Sequence, residues 1–85
     1  MNNRKTEKIY KLVLSGSKNV SFQDFKRLLN EFGFVLDRVK GSRHIFKHTG
    51  IKELLNIQNV EGKVKPYQLK QFLSIIESYN LEMNK

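Results

Sequence analysis

The spacing of apolar residues changes at Gly33, and this change constrains the fold more than any other feature of the sequence. Before Gly33, apolar residues recur every three or four positions along 22–32, which is typical of one face of a helix. After it, residues 43–48 alternate between two kinds of side chain, as expected of a strand. The 85-residue chain is therefore predicted to form one small α+β domain.

Two helices are predicted before Gly33. The first covers Thr6–Leu14, where three apolar residues have helical spacing. The second begins after Ser21, an N-cap with Asp24 three residues on, in a variant of the capping box. Gly33 suits the left-handed position that follows a helix. The apolar face of this second helix consists of Phe22, Phe25, Leu28, Leu29 and Phe32.

A third helix is predicted from Pro66, which fits the first position of a helix because its missing N–H is not needed there. It extends to about Tyr79, and residues 82–85 are expected to fray. Its predicted apolar face consists of Leu69, Phe72, Leu73, Ile76 and Tyr79.

Three strands are predicted between these helices, over Phe34–Val39, Arg43–His48 and Leu54–Val60. In the second strand one face carries His44, Phe46 and His48, and the other carries Arg43, Ile45 and Lys47. Leu55 and Ile57 share a face of the third strand. Short connections favour an antiparallel sheet whose one face is covered by helices. The result is a two-layer α-β-β-β-α sandwich with an additional N-terminal helix, the order found in double-stranded-RNA-binding domains.

The charge balance suggests the class of partner. The formal net charge is +8, and a sequence pI of about 9.9 is typical of nucleic-acid-binding domains. Solubility, or an acidic protein partner, would also explain it. The chain has no cysteine, which excludes disulfides, thiolate nucleophiles and Cys-ligated metals. It also has no apolar run of the roughly 20 residues that a membrane span needs, so no membrane association and a cytoplasmic location are expected.

The familiar enzyme signatures are missing: there is no phosphate-binding P-loop, dinucleotide glycine motif or zinc helix. His44 and His48 lie on one face of a predicted strand but about 13 Å apart, too far for two ligands of one metal. We expect no metal and no cofactor.

A cluster of cations surrounds the predicted turn at Gly41 and Ser42. Because RNA carries its own nucleophile, the 2′-hydroxyl, a ribonuclease without a metal needs a base, an acid and cations near the phosphate. His44 can fill one proton-transfer role at neutral pH, and backbone N–H groups of the turn could hold a phosphate. A solvated β-hairpin would carry the same cations, which are Arg38, Lys40, Arg43 and Lys47.

Four segments together resemble the HicA family of bacterial toxins: residues 31–34 (EFGF), 38–46 (RVKGSRHIF), 55–58 (LNIQ) and 65–71 (KPYQLKQ). The resemblance covers residues 21–81, so that residues 1–20 form an N-terminal helical extension and 82–85 a tail. It implies the double-stranded-RNA-binding-domain fold, translation-independent cleavage of mRNA, and neutralisation by a HicB antitoxin. The chain is thus expected to be a toxin–antitoxin endoribonuclease with mRNA and an antitoxin as partners.

The hairpin departs from the family pattern at one position. The family's catalytic histidine directly follows the serine, where this chain has Arg43, and His44 matches the next position. Neighbouring strand residues face opposite sides of a sheet. A bulge or twist near Gly41 could turn His44 into the site, Arg43 could bind phosphate in a weak or inactive enzyme, or the chain could serve complex formation alone.

The sequence therefore gives one site hypothesis and two rivals. In the first, His44 is the acid/base of a metal-independent endoribonuclease, and Gly41 and Ser42 shape the turn; the phosphate is held by Arg43, Lys40 and Lys47. In the second, the same cations bind RNA without cleaving it. In the third, the basic face docks an acidic antitoxin.

Overall fold

The computed structural model describes residues 4–83, which form three helices and one three-stranded sheet. Neighbouring strands are antiparallel, in the order β1-β2-β3. The predicted α+β class and element order are confirmed. Within residues 4–83, no helix combines the length and the apolar composition needed to cross a bilayer. The elements are α1 Arg4–Leu14, α2 Phe22–Glu31, β1 Val35–Lys40, β2 Arg43–Lys47, β3 Leu55–Gln58 and α3 Pro66–Tyr79.

The ends of α2 form as the local sequence predicts. The Ser21 hydroxyl accepts a hydrogen bond from the backbone N–H of Asp24 at 3.1 Å, which satisfies a donor that the first turn leaves free. At the other end Gly33 has φ +93°, and the N–H of Phe34 donates to the carbonyl of Leu29 at 3.0 Å. This is the Schellman arrangement, and it directs the chain into β1.

The core lies between the sheet and the helices, with Phe72 of α3 near its centre. The ring of Phe72 makes edge-to-face contacts with Phe25 at 5.1 Å and Phe32 at 5.4 Å between centroids. From the sheet, Phe46, Leu55 and Ile57 are fully buried in the same cluster. The helices thus cover one face of β2 and β3, which confirms the two-layer sandwich and leaves the other face of the sheet open.

Helix α1 packs on this core. Ile9 and Val13 are buried in the main apolar cluster, and the ring of Tyr10 lies 5.3 Å from that of Phe32. The other chain end also contacts the core through Leu81 and Met83. Residues 84 and 85, the end of the tail predicted to fray, lie outside the described residues, as do residues 1–3.

Helix α3 packs on the core through most of its predicted apolar face, with one exception at its last residue. Leu69, Phe72 and Ile76 are buried as expected, but Tyr79 is exposed and donates a hydrogen bond to the Glu53 carboxylate. The prediction for Tyr79 was wrong: Tyr79 is the last residue of α3, and its hydroxyl is engaged by the exposed Glu53 rather than by the core. Gln68 and Ile75 of α3, which were not predicted to face the core, are buried as well.

The two edges of the sheet differ. Every residue of β1 is exposed, and the pairing with β2 is interrupted by a bulge at Asp37. At the β3 edge, the buried side chain of Gln68 accepts a hydrogen bond from the N–H of Gln58 at 3.2 Å and donates one to the carbonyl of Asn56 at 3.0 Å. The carboxamide of Gln68 thus occupies the place of a neighbouring strand.

Candidate nucleic-acid interface

The tip of the β1–β2 hairpin brings two cations together. Lys40 and Arg43 are partners in the strand register, on either side of the turn formed by Gly41 and Ser42. Gly41 has φ +61°, a left-handed conformation that favours glycine. All four residues are exposed, so the tip offers two positive side chains to solvent.

The cations continue along the open face of the sheet, where two of them share the carboxylate of Asp37. Arg38 is the register partner of Ile45, which puts it on the side of β2 that carries Arg43 and Lys47. The bulged Asp37 places its carboxylate 3.4 Å from Lys47 Nζ and 3.7 Å from Arg38. Lys47, predicted to hold phosphate, is therefore already engaged with an anion, whereas Lys40 and Arg43 have no such partner among the described residues.

His44 faces the other side of the sheet. Its ring lies 4.5 Å from that of Phe22, between centroids, and the side chain is half-buried. Its Nδ1 is 3.3 Å from the carbonyl oxygen of Ser42, and when it carries the proton it donates to that oxygen. In that tautomer Nε2 keeps its lone pair.

The regular pairing of β2 explains why Arg43 and His44 point apart. The bulge considered for the region near Gly41 lies instead on β1 at Asp37, and β2 pairs without interruption with β3 from Arg43 to Phe46. The structure thus brings Lys40, Gly41, Ser42 and Arg43 together at the tip, but it does not place the imidazole of His44 on the face of Arg43.

One cation on the side of His44 was missed by the sequence analysis. Lys26 of α2 places Nζ 5.8 Å from the centroid of the Phe22 ring, and the same ring contacts His44. Its position one turn after Phe22 on a predicted helix would have been the signal.

His48 has a structural role and lies away from the hairpin tip. Its Nδ1 accepts a hydrogen bond from the N–H of Gly50 at 2.9 Å, and its ring packs edge-to-face on Phe34 at 5.1 Å. The side chain is half-buried between Gly33 and Gly50.

Next to Arg43, on the open face, lies a shallow pocket of about 240 Å³ between the sheet and the start of α3. Two of its residues, Tyr67 and Gln71, are one helical turn apart and were not singled out from the sequence, although that spacing placed them on one face. Arg43, Asn56, Gln58 and Gln68 complete the lining. Within the described residues no group of three or more His, Cys, Asp or Glu side chains is arranged to hold a metal.

The chain matches a protein-family model. The family model described as "HicA toxin of bacterial toxin-antitoxin" matches residues 22–77, from the first residue of α2 into the last turns of α3. No curated protein and no solved structure matches the chain. Since the matched segment is more than half of the 85 residues and contains the whole sheet, all of α2 and most of α3, the chain belongs to the HicA toxin family of bacterial toxin–antitoxin systems.

Proposed function

We propose that the protein is an endoribonuclease toxin that binds mRNA at the tip and open face of the β1–β2 hairpin. The observation that carries the proposal is the pairing of Lys40 with Arg43 at the exposed tip, beside His44. An RNA phosphate at the tip would meet two cations, and charge-assisted hydrogen bonds from arginine to phosphate are among the strongest that proteins make.

His44 is the proposed proton-transfer residue. With Nδ1–H directed at the carbonyl of Ser42, Nε2 can accept the proton of an RNA 2′-hydroxyl. The 2′-oxygen then bonds to the adjacent phosphorus, the bond from phosphorus to the 5′-oxygen breaks, and a proton from an acid completes the leaving hydroxyl. Because His44 and Arg43 lie on opposite faces of the sheet, the RNA strand that is cleaved has to pass over the hairpin tip to contact both residues.

A second candidate function is RNA binding without cleavage. It is favoured by the opposed directions of Arg43 and His44, because the position that carries the family's catalytic histidine here carries a guanidinium. Arginine stays charged at physiological pH, which makes it a poor general base and a good phosphate ligand. In this case RNA binds to the open face without being cleaved, and the protein acts by keeping that RNA bound.

The test is an incubation of a defined mRNA in EDTA with the purified protein, with His44→Ala and with Arg43→His. Fragments from the unmodified protein but not from His44→Ala, with equal retention of RNA in a gel shift, are the expected result. Cleavage by His44→Ala at the unmodified rate would overturn the assignment of His44.

The Arg43→His variant separates the two candidates. It restores an imidazole at the family position on the open face. If the unmodified protein retains RNA without cutting it and Arg43→His cuts it, the protein is a binder whose scaffold remains competent. If none of the proteins retains RNA at physiological salt, both candidates fail, and the basic surface serves an acidic protein partner instead.

Members of this family pair with antitoxins, and we propose a HicB-type antitoxin as the partner of this chain and the cytoplasm as its place of action. An acidic antitoxin would complement the net charge of +8. We further propose that residues 1–20 are an extension of a 21–81 toxin domain, since the family match begins at Phe22. Co-expression with the product of an adjacent small reading frame should suppress RNA cleavage and yield a complex that co-purifies.

A further inference from the structure

The pocket beside Arg43 has a lining suited to a nucleobase. It combines one guanidinium, one phenol ring and four carboxamides, with no carboxylate among the lining residues. Carboxamides can donate and accept at once, which matches the paired donors and acceptors on base edges. The guanidinium of Arg43 adds a positive charge where the backbone of a bound nucleotide would lie.

The carboxamides differ in their availability. Gln68 is committed to the backbone of β3 through both its oxygen and its nitrogen, and Gln58 Nε2 lies 3.4 Å from the Ser42 hydroxyl. The side chains of Asn56 and Gln71 make no hydrogen bond within the described part of the chain and are exposed. Two unused carboxamides therefore border the pocket, one from the sheet and one from the helix.

Tyr67 provides a surface for stacking. It is 60% exposed although it lies in the first turn of α3, beside the core, and its hydroxyl has no hydrogen-bond partner among the described residues. Because every base has a π-face, exposed aromatic rings beside basic residues are a general device for holding single strands.

We propose that this pocket binds one unpaired base of a single-stranded RNA, stacked on Tyr67 and contacted at its edge by Asn56 and Gln71, with the adjoining phosphate on Arg43. This inference rests on the proposed function, since it concerns the same RNA. It adds that the substrate has to be single-stranded at this nucleotide, because a duplex keeps its bases within the stack.

The test compares the binding of a labelled single-stranded RNA of roughly ten nucleotides, its abasic counterpart and its duplex. The proteins are the unmodified chain, Tyr67→Ala and Tyr67→Phe. Tyr79→Ala is the matched control, because it removes another exposed tyrosine from the same helix. For the single strand, Tyr67→Ala should weaken binding by roughly 5- to 150-fold. Tyr79→Ala should bind as the unmodified protein does, and Tyr67→Phe, which keeps the ring, should recover most of the affinity that Tyr67→Ala loses.

Two further readouts separate loss of stacking from loss of phosphate contacts. The dependence of affinity on salt should be the same for Tyr67→Ala as for the unmodified protein, since no cation is removed. Abasic RNA and the duplex should bind all the variants equally. Asn56→Ala and Gln71→Ala should change the order of preference among homopolymers of the four bases.

The failures are distinguishable. If the unmodified protein binds base-bearing and abasic single strands equally, in a salt-dependent manner, the pocket does not bind a base and the proposed RNA function stands. An undiminished affinity of Tyr67→Ala for the single strand has the same meaning. If no RNA binds at physiological salt, the proposed function and this inference fail together.

Discussion

The imidazole of His48 lies against Gly33 so closely that a β-carbon built on the glycine would be 3.0 Å from Nε2. Gly33 also has φ +93°, so two separate constraints act on one position. The pair joins the end of α2 to the loop after β2, since His48 also accepts the hydrogen bond from Gly50.

Gly33→Ala is expected to lower the free energy of unfolding by about 2–4 kcal/mol, because the strain of a left-handed residue and the crowding of the His48 ring add together. Gly16→Ala is the matched control: Gly16 has φ +80° but no atom within 4 Å of a built β-carbon, so its cost should be about 1–2 kcal/mol. Urea denaturation measures both. In a His48→Ala background the cost of Gly33→Ala should fall towards that of Gly16→Ala. Equal costs for the two glycines in the unmodified protein would contradict the contact.

Gln68→Ala should destabilise the protein by about 1–3 kcal/mol, since it leaves the N–H of Gln58 and the carbonyl of Asn56 without their partner. Gln68→Met fills a similar volume without hydrogen bonds and should recover less than half of the loss. Hydrogen exchange followed by NMR gives the specific readout, because the amide of Gln58 should exchange faster in both variants. Protection of Gln58 that is unchanged in Gln68→Ala would rule out the capping role.

Asp37→Asn should raise the affinity for RNA by about two- to five-fold at low salt, because it removes an anion from the open face and frees Lys47. Glu77→Gln, an equal change of charge at an exposed position of α3, is the control for net charge. Lys40→Ala should reduce the slope of log affinity against log salt by about one. Lys47→Ala should reduce it less, unless Asp37 is also replaced. Equal gains from Asp37→Asn and Glu77→Gln would mean that only the net charge matters.

Tyr79 should titrate above the ordinary value of a tyrosine side chain. Its hydrogen bond to the Glu53 carboxylate, followed by burial and by the charge of Glu53, raises its pKa above the ordinary 10.0. A group with a raised folded-state pKa contributes stability that is complete below the unfolded value and lost as pH rises through the folded value. Ultraviolet titration of phenolate formation should show one late tyrosine that is absent in Tyr79→Phe, and that variant should lose less stability above pH 10. A Tyr79→Phe curve that retains the late step would refute the assignment.

The sequence predicts the elements well where the controlling interactions are local. The ends of α2 and the start of α3 could be predicted because they are set by Ser21, Gly33 and Pro66. Each of these residues acts through its own backbone geometry or that of residues close to it in the sequence. The two faces of β2 follow as well, since alternation is a property of any extended chain. The separation of Arg43 from His44 could therefore be predicted from the sequence.

What the sequence does not reveal depends on how the elements pack. Gln68 is a polar residue that becomes buried because it meets the β3 edge, and nothing adjacent in the sequence signals that partner. The bulge at Asp37 arises from the pairing of β1 with β2, so it determines the partner of Lys47 without any local signature. The pocket was missed for the same reason, because its residues come from β2, β3 and α3.

Because Gln68 caps the β3 edge, only the β1 edge of the sheet is open to pairing with a strand of another molecule. A strand from another molecule, or from a misfolded copy, cannot pair at β3 unless it first displaces the carboxamide that fills the place. Growth is thus confined to β1, where the bulge at Asp37 and the charges of Arg38 and Lys40 oppose regular pairing. Both edges of the sheet therefore resist the edge-to-edge pairing by which copies of this small, highly charged chain would assemble into a fibre.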